Sequence, residues 1–125
     1  MPKLTAATVD RRANDVAFTW EVEGDLEDPA LNPWLLSVDL IGGENGPIHH
    51  FGFRFRDGKI EERFYFDFVA TMNYYTPQVN PQRVGNKWSA VFPADNSVAT
   101  SGRWQATLSF DEPDNDNESN IDGTF

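Results

Sequence analysis

Two stretches of this chain hold residue types that could do chemistry. The first is the set His50, Tyr65 and Asp67. Imidazole titrates near neutrality and a neighbouring carboxylate raises its pKa, so a His–Tyr–Asp group on one sheet face could move protons. The second is Tyr74-Tyr75, flanked by Asn, Gln, Thr and Pro. Tyrosine offers broad amphipathic contact area with few rotors, which is the composition of a recognition loop. Trp34, at a loop–strand boundary, is a further ring expected to stand partly exposed. Trp34, Tyr74, Tyr75, His50 and Tyr65 are therefore the candidate ligand- or partner-binding residues.

Other chemistries are poorly supported. There is no Gly-x-Ser-x-Gly elbow and no His-Glu-x-x-His, and cross-strand charged and aromatic pairs are the ordinary decoration of a solvated sheet face. No residue is assigned a catalytic role. His49 and His50 are adjacent, so on a strand they point to opposite faces and cannot share a metal ion. Residues 114–123 alternate oxygen ligands as a calcium loop does, but Ser119 stands where such a loop needs glycine. A solvated acidic tail accounts for them with fewer assumptions. No metal or cofactor is expected.

The 125 residues suffice for one domain, and Phe 10, Trp 4 and Tyr 3 supply the bulk of a core. No apolar run is long enough for a membrane span, and the first ten residues lack an apolar leader core, so the default expectation is a cytoplasmic protein away from membranes. With no cysteine, disulfides and thiolate sites are excluded. The net charge of −10 is unevenly spread. Residues 111–125 hold six of the 20 acids and no base, which leaves 14 acids against 10 bases in the rest, a net −4. Dispersed arginines and few lysines argue against nucleic acid as a partner.

The elements that must position these residues read as strands. Val16, Phe18, Trp20 and Val22 alternate with polar neighbours, as do Trp88, Ala90 and Phe92, and again Trp104, Ala106, Leu108 and Phe110. Residues 34–41 are apolar on both phases apart from Ser37 and Asp39, as in a central strand covered on both sides for part of its length. Residues 25–33 make a loop broken by two prolines, with room for one helical turn at 29–31. Residues 48–69 form the clearest hairpin, with apolar and polar residues alternating about Asp57-Gly58. A two-residue turn there pairs Phe55 with Ile60 and Phe51 with Phe64, and sets His50 beside Tyr65 with Asp67 on the same polar face.

The phrase 93–108, with Gly102-Arg-Trp104-Gln-Ala106 opening a returning strand, resembles the late strands of immunoglobulin-like sandwiches, although the Cys-Trp-Cys framework is missing. The expected fold is an all-β antiparallel sandwich of about seven strands, immunoglobulin-like, with a small β barrel as the alternative. Its core is expected to hold Phe18, Trp20, Val38, Phe51, Phe53, Phe64, Phe66, Trp88, Trp104 and Leu108. The domain is expected over 1–112, followed by a flexible acidic tail over 113–125. Residues 70–86 are aperiodic, and loops longer than about 12–15 residues are usually functional or disordered. The function expected is a non-catalytic binding or protein-interaction module, taking a protein or small polar ligand as a monomer or weak dimer. A carbohydrate- or small-ligand-binding domain is the alternative, and an enzyme using the His50–Tyr65–Asp67 face the second.

Overall fold

The structure is a computed structural model that describes residues 1–44, 46–110 and 118–125. Two antiparallel sheets face each other. The smaller runs in the order β1 (Lys3–Arg11), β2 (Asp15–Glu23), β8 (Lys87–Pro93), β7 (Gln82–Val84). The larger runs in the order β10 (Ser119–Thr124), β9 (Arg103–Phe110), β3 (Trp34–Ile41), β4 (Ile48–Arg56), β5 (Lys59–Asp67), β6 (Met72–Asn73). This is a β sandwich, and no closed barrel forms among the described residues. A single turn of 3-10 helix occupies Pro29–Leu31, where the Asp28 carboxylate accepts from the Ala30 N–H.

Period-2 alternation builds the core. Phe18 and Trp20 from β2 meet Phe51 and Phe53 from β4 across the sheets, with ring centroids 5.2 and 6.3 Å apart. Phe92 closes the layer 5.4 Å from Phe53. The Trp20 indole N–H donates to the Ser37 carbonyl at 3.1 Å, tying one sheet to the other. Fully burying aromatic rings of this size is the main stabilising term available to a chain without disulfides.

Trp34 corrects an expectation. It is 1% exposed, stacked on Phe55 at 4.3 Å and edge-on to Trp88 at 5.5 Å. The reason is phase: Trp34, Leu36, Val38 and Leu40 occupy alternate positions and all turn inward.

The central hairpin corrects a second. The turn is as expected: Asp57 and Gly58 both have positive φ (54° and 76°) and Phe55 pairs with Ile60. One step further, Arg54 pairs with Glu62, so Glu61 is an extra residue in β5, a β-bulge. Every later partner is displaced by one: Gly52 faces Phe64, Phe51 faces Tyr65 and His49 faces Asp67. Tyr65 and Asp67 therefore turn inward and are buried, while Phe64, Phe66 and Phe68 turn outward. Phe64 and Phe66 do not belong to the core, and Tyr65 does. Both phases of β5 carry residues that tolerate burial, so the sequence pattern does not reveal the bulge. On the outer face, Arg54 and Arg56 pair with Glu62 and Glu61 beside it.

The C-terminus corrects a third. The final residues of the expected tail form β10 against β9, from Ser119 opposite Leu108 to Thr124 opposite Arg103. The indole of Trp104 lies over Gly123, where a Cβ would fall 2.3 Å from the ring, and donates to the Thr124 carbonyl at 3.2 Å. The acidic residues 111–117, including most of the calcium-like pattern, lie outside the described residues.

Candidate functional site

The aperiodic segment 70–86 crosses from β6, an edge strand of the larger sheet, to β7, an edge strand of the smaller, and it is tied down along its length. Tyr74 N–H donates to the Tyr65 carbonyl at 2.8 Å, and Val79 N–H closes a turn on Thr76. Arg63 reaches beneath the segment, donating to the Val79 carbonyl and to Asn80 Oδ1, both at 2.6 Å. Thr76 and Val79 are buried. Successive side chains of extended backbone point apart. Tyr74 accordingly packs against Tyr65, with centroids 4.9 Å apart, while Tyr75 projects outward and is 88% exposed.

Behind this ridge lies an open groove of about 450 Å³. Tyr65, Tyr74 and Tyr75 supply its aromatic wall, and Pro93 and Ala94 from the end of β8 face them. Asn14, Thr76, Gln78 and Asp95 supply polar groups. A narrower groove of about 330 Å³ runs on the other side of the ridge, between Tyr75 and Glu61, Glu62 and Arg63.

The 94–99 turn that carries Asp95 is clamped by Arg11, whose guanidinium donates to the carbonyls of Asp95, Val98 and Ala99 at 2.9, 3.2 and 3.1 Å. Asp95 is held below the usual carboxylate range, first by the hydrogen bonds from the Ser97 side chain and backbone, both of which fall on Oδ1. Burial pushes the Tyr65 phenol up to about 12, with Asp95 adding to the shift.

Deeper still, His49 is fully buried, its ring 6.3 Å from Tyr65. Burial lowers its pKa more strongly than Asp67 raises it. Neither ring nitrogen has a hydrogen-bond partner among the described residues. Asp67 lies below its ordinary value, chiefly because its Oδ1 accepts from the Ala70 and Val69 N–H groups.

The candidate residues named from the sequence divide. Tyr65, Tyr74 and Tyr75 come together in the groove. His50 does not: it faces out from the larger sheet, with Nδ1 2.6 Å from Asp39 Oδ1. Tyr65 and Asp67 face in, so the His50–Tyr65–Asp67 face does not exist, because the Glu61 bulge separates its members. Trp34 lies toward the opposite end: it faces Phe55, whereas Tyr65 faces Phe51, a separation of roughly 13 Å along β4 at ~3.3 Å per residue. There it lines a pocket of about 520 Å³ with Leu26, Asn32, Asp57, Arg83 and Trp88 among others. Asn14, Asp95, Thr76, Gln78 and His49 were not singled out in advance as parts of one site. They come from four separate segments, and only the Asp95-Asn-Ser97 turn carries a local signal, an Asx turn. Among the described residues, no cluster of three His, Asp or Glu side chains is arranged to hold a metal ion.

Compared with protein-family models, characterised proteins and solved structures, the chain matches none.

Proposed function

We propose that this chain is a non-catalytic binding module that grips its partner with the Tyr74–Tyr75–Thr76 ridge and the groove behind it. The observation that carries this reading is the contrast between neighbours. Tyr74 is anchored on Tyr65, whereas Tyr75 offers almost its whole ring to solvent on backbone fixed from both sides. A large apolar ring presented on ordered backbone has little entropy left to lose on binding. The two buried titratable groups behind the groove support binding over catalysis: burial pushes the Tyr65 phenol up to about 12 and lowers the His49 imidazole, so each is shifted away from neutrality. The likeness of residues 93–108 to immunoglobulin-like strands agrees with this reading, since such domains bind through loops at the ends of their sheets. Tyr75→Ala tests it. The variant should melt with the wild type yet lose partners recovered by cross-linking, while Tyr74→Ala should lower the melting temperature. Identical cross-linked partners for wild type and Tyr75→Ala would sink the assignment.

One observation favours a second reading, a small-ligand site at the other end. Trp20 and Trp104 both place their indole N–H on a carbonyl, but the buried indole N–H of Trp34 has no partner among the described residues. Leaving such a donor unpaired costs about 1–3 kcal/mol, and a ligand in the adjoining pocket that reached it would recover part of that. A panel of neutral sugars that shifts the Trp34 indole resonance would favour this reading, and no shift would remove it.

A further inference from the structure

We infer that the partner presents an arginine side chain, carried on a peptide segment, to the groove beside Tyr75. This rests on the binding reading above and names the chemistry of the partner. Among the described residues lining the groove, Asp95 carries the one formal charge, a carboxylate, and the remaining lining is tyrosine rings, small apolar groups and neutral polar groups. An anion finds no cation in that lining: the charge of Arg11 reaches Tyr65 and Asp95, but its donors are spent on backbone carbonyls. A sugar finds hydrogen bonds but no charge to use. A cation finds both the negative faces of the tyrosine rings and the carboxylate.

The carboxylate is available as well as ionised. Ser97 engages Oδ1, which leaves Oδ2 facing no donor from that turn. The nearby Arg11 spends its donors on backbone carbonyls rather than on this carboxylate. Across the ridge, by contrast, Glu61 and Glu62 are already paired with Arg56 and Arg54, so the second groove has no comparable free carboxylate.

Guanidinium is favoured over ammonium by shape. It is planar and stacks on a ring face, while its edge can still reach a carboxylate. The protein uses this contact internally: Arg83 lies 5.0 Å from the Trp88 ring centroid and Arg54 lies 5.8 Å from that of Phe64. Tyr75 has an exposed ring of the same kind and, among the described residues, no such cover. The chain's net charge of −10 adds a long-range attraction for a basic segment.

The test uses the full chain and short Gly/Ser peptides carrying one central arginine, lysine or citrulline, titrated while the backbone NMR signals of residues 74–78 and 94–95 are followed. Citrulline keeps the shape of arginine and removes its charge. The arginine peptide should bind most tightly, lysine less so, and citrulline about tenfold more weakly than arginine. Tyr75→Ala and Asp95→Asn should each weaken the arginine peptide about two- to fivefold, the size of an exposed cation–π contact or ion pair. Glu27→Gln makes the same change in net charge at the opposite end of the molecule and should change nothing. Equal weakening by Glu27→Gln and Asp95→Asn would show diffuse attraction and overturn the inference. Equal binding of citrulline and arginine, or no shift at the ridge with any peptide, would overturn it too. If Tyr75→Ala alone weakens binding and the charge changes do not, the ridge remains a recognition surface and the cationic partner is wrong. If Tyr75→Ala weakens nothing, both readings fall.

Discussion

His49 Nε2 lies 3.4 Å from Asp67 Oδ2 inside the sandwich, with the imidazole fully buried and the carboxylate nearly so. At that distance the two sense each other's charge without forming a good hydrogen bond. The pair exists because the bulge at Glu61 turns Asp67 inward opposite His49. It places a desolvated titratable group directly behind Tyr65 and the groove.

Acid should therefore destabilise the fold from near neutrality downward. His49 has a lower pKa in the folded chain than its ordinary 6.5, because burial penalises the imidazolium. Below about 6.5 the unfolded chain takes up this proton before the folded one does, so stability falls as pH falls. Asp67 and Asp95, both held below their ordinary 3.8, add losses of the same sign at lower pH. Melting temperatures between pH 8 and pH 5 should decline in the wild type and decline less in His49→Gln. Parallel profiles would show that His49 is not the group responsible.

Base should act through Tyr65. Its folded pKa of about 12 exceeds the ordinary 10.0, so its contribution to stability is complete below pH 10 and is lost as pH rises toward 12. In a spectrophotometric titration the folded protein should show a tyrosinate step near 12 that Tyr65→Phe removes. If Tyr65→Phe leaves the titration curve unchanged, the phenol is not in the buried position described.

The register of the central hairpin can be weighed by mutation. Tyr65 sits 4.6 Å from Phe51 and 6.1 Å from Phe92, so Tyr65→Ala should cost roughly 3–5 kcal/mol as a buried aromatic. Phe66 packs on the outer face against Phe68, and Phe66→Ala should cost about 1 kcal/mol or less. Urea melts that ranked the two in the opposite order would mean that no bulge forms.

The C-terminal strand should matter to stability. Gly123→Ala drives a methyl into the Trp104 indole, an overpacking that should cost roughly 1–3 kcal/mol. Truncation before Glu118 removes β10, uncovers Trp104 and deletes the Gly102–Phe125 backbone pair, so it should lower the melting temperature. An unchanged melting temperature after truncation would return these residues to the status of a dispensable tail.

The sequence by itself determined the fold class, because period-2 alternation and turn chemistry are local signals. Asp57-Gly58 demanded a tight turn, and Phe18, Trp20, Phe51, Phe53, Trp88, Trp104 and Leu108 declared their inward phase through neighbours no more than two residues away. It also marked Tyr74 and Tyr75, since an aperiodic stretch stands out against alternation on either side. What it could not settle was which partner each residue meets. The bulge at Glu61 depends on whether Tyr65 or Phe64 fits between Phe51 and Phe92, a question of volume across two sheets, and both phases of β5 permit burial. One extra residue there reversed the roles of Phe64, Tyr65, Phe66 and Asp67 and dissolved the His50–Tyr65–Asp67 face. β10 likewise forms because β9 offers an open edge and Trp104 covers Gly123, neither of which its polar, acidic sequence advertises. The groove gathers Asn14, Tyr65, Tyr74 and Asp95 from segments far apart in the chain. Only packing of the two sheets brings such residues together, so a site of this kind is decided by the tertiary structure.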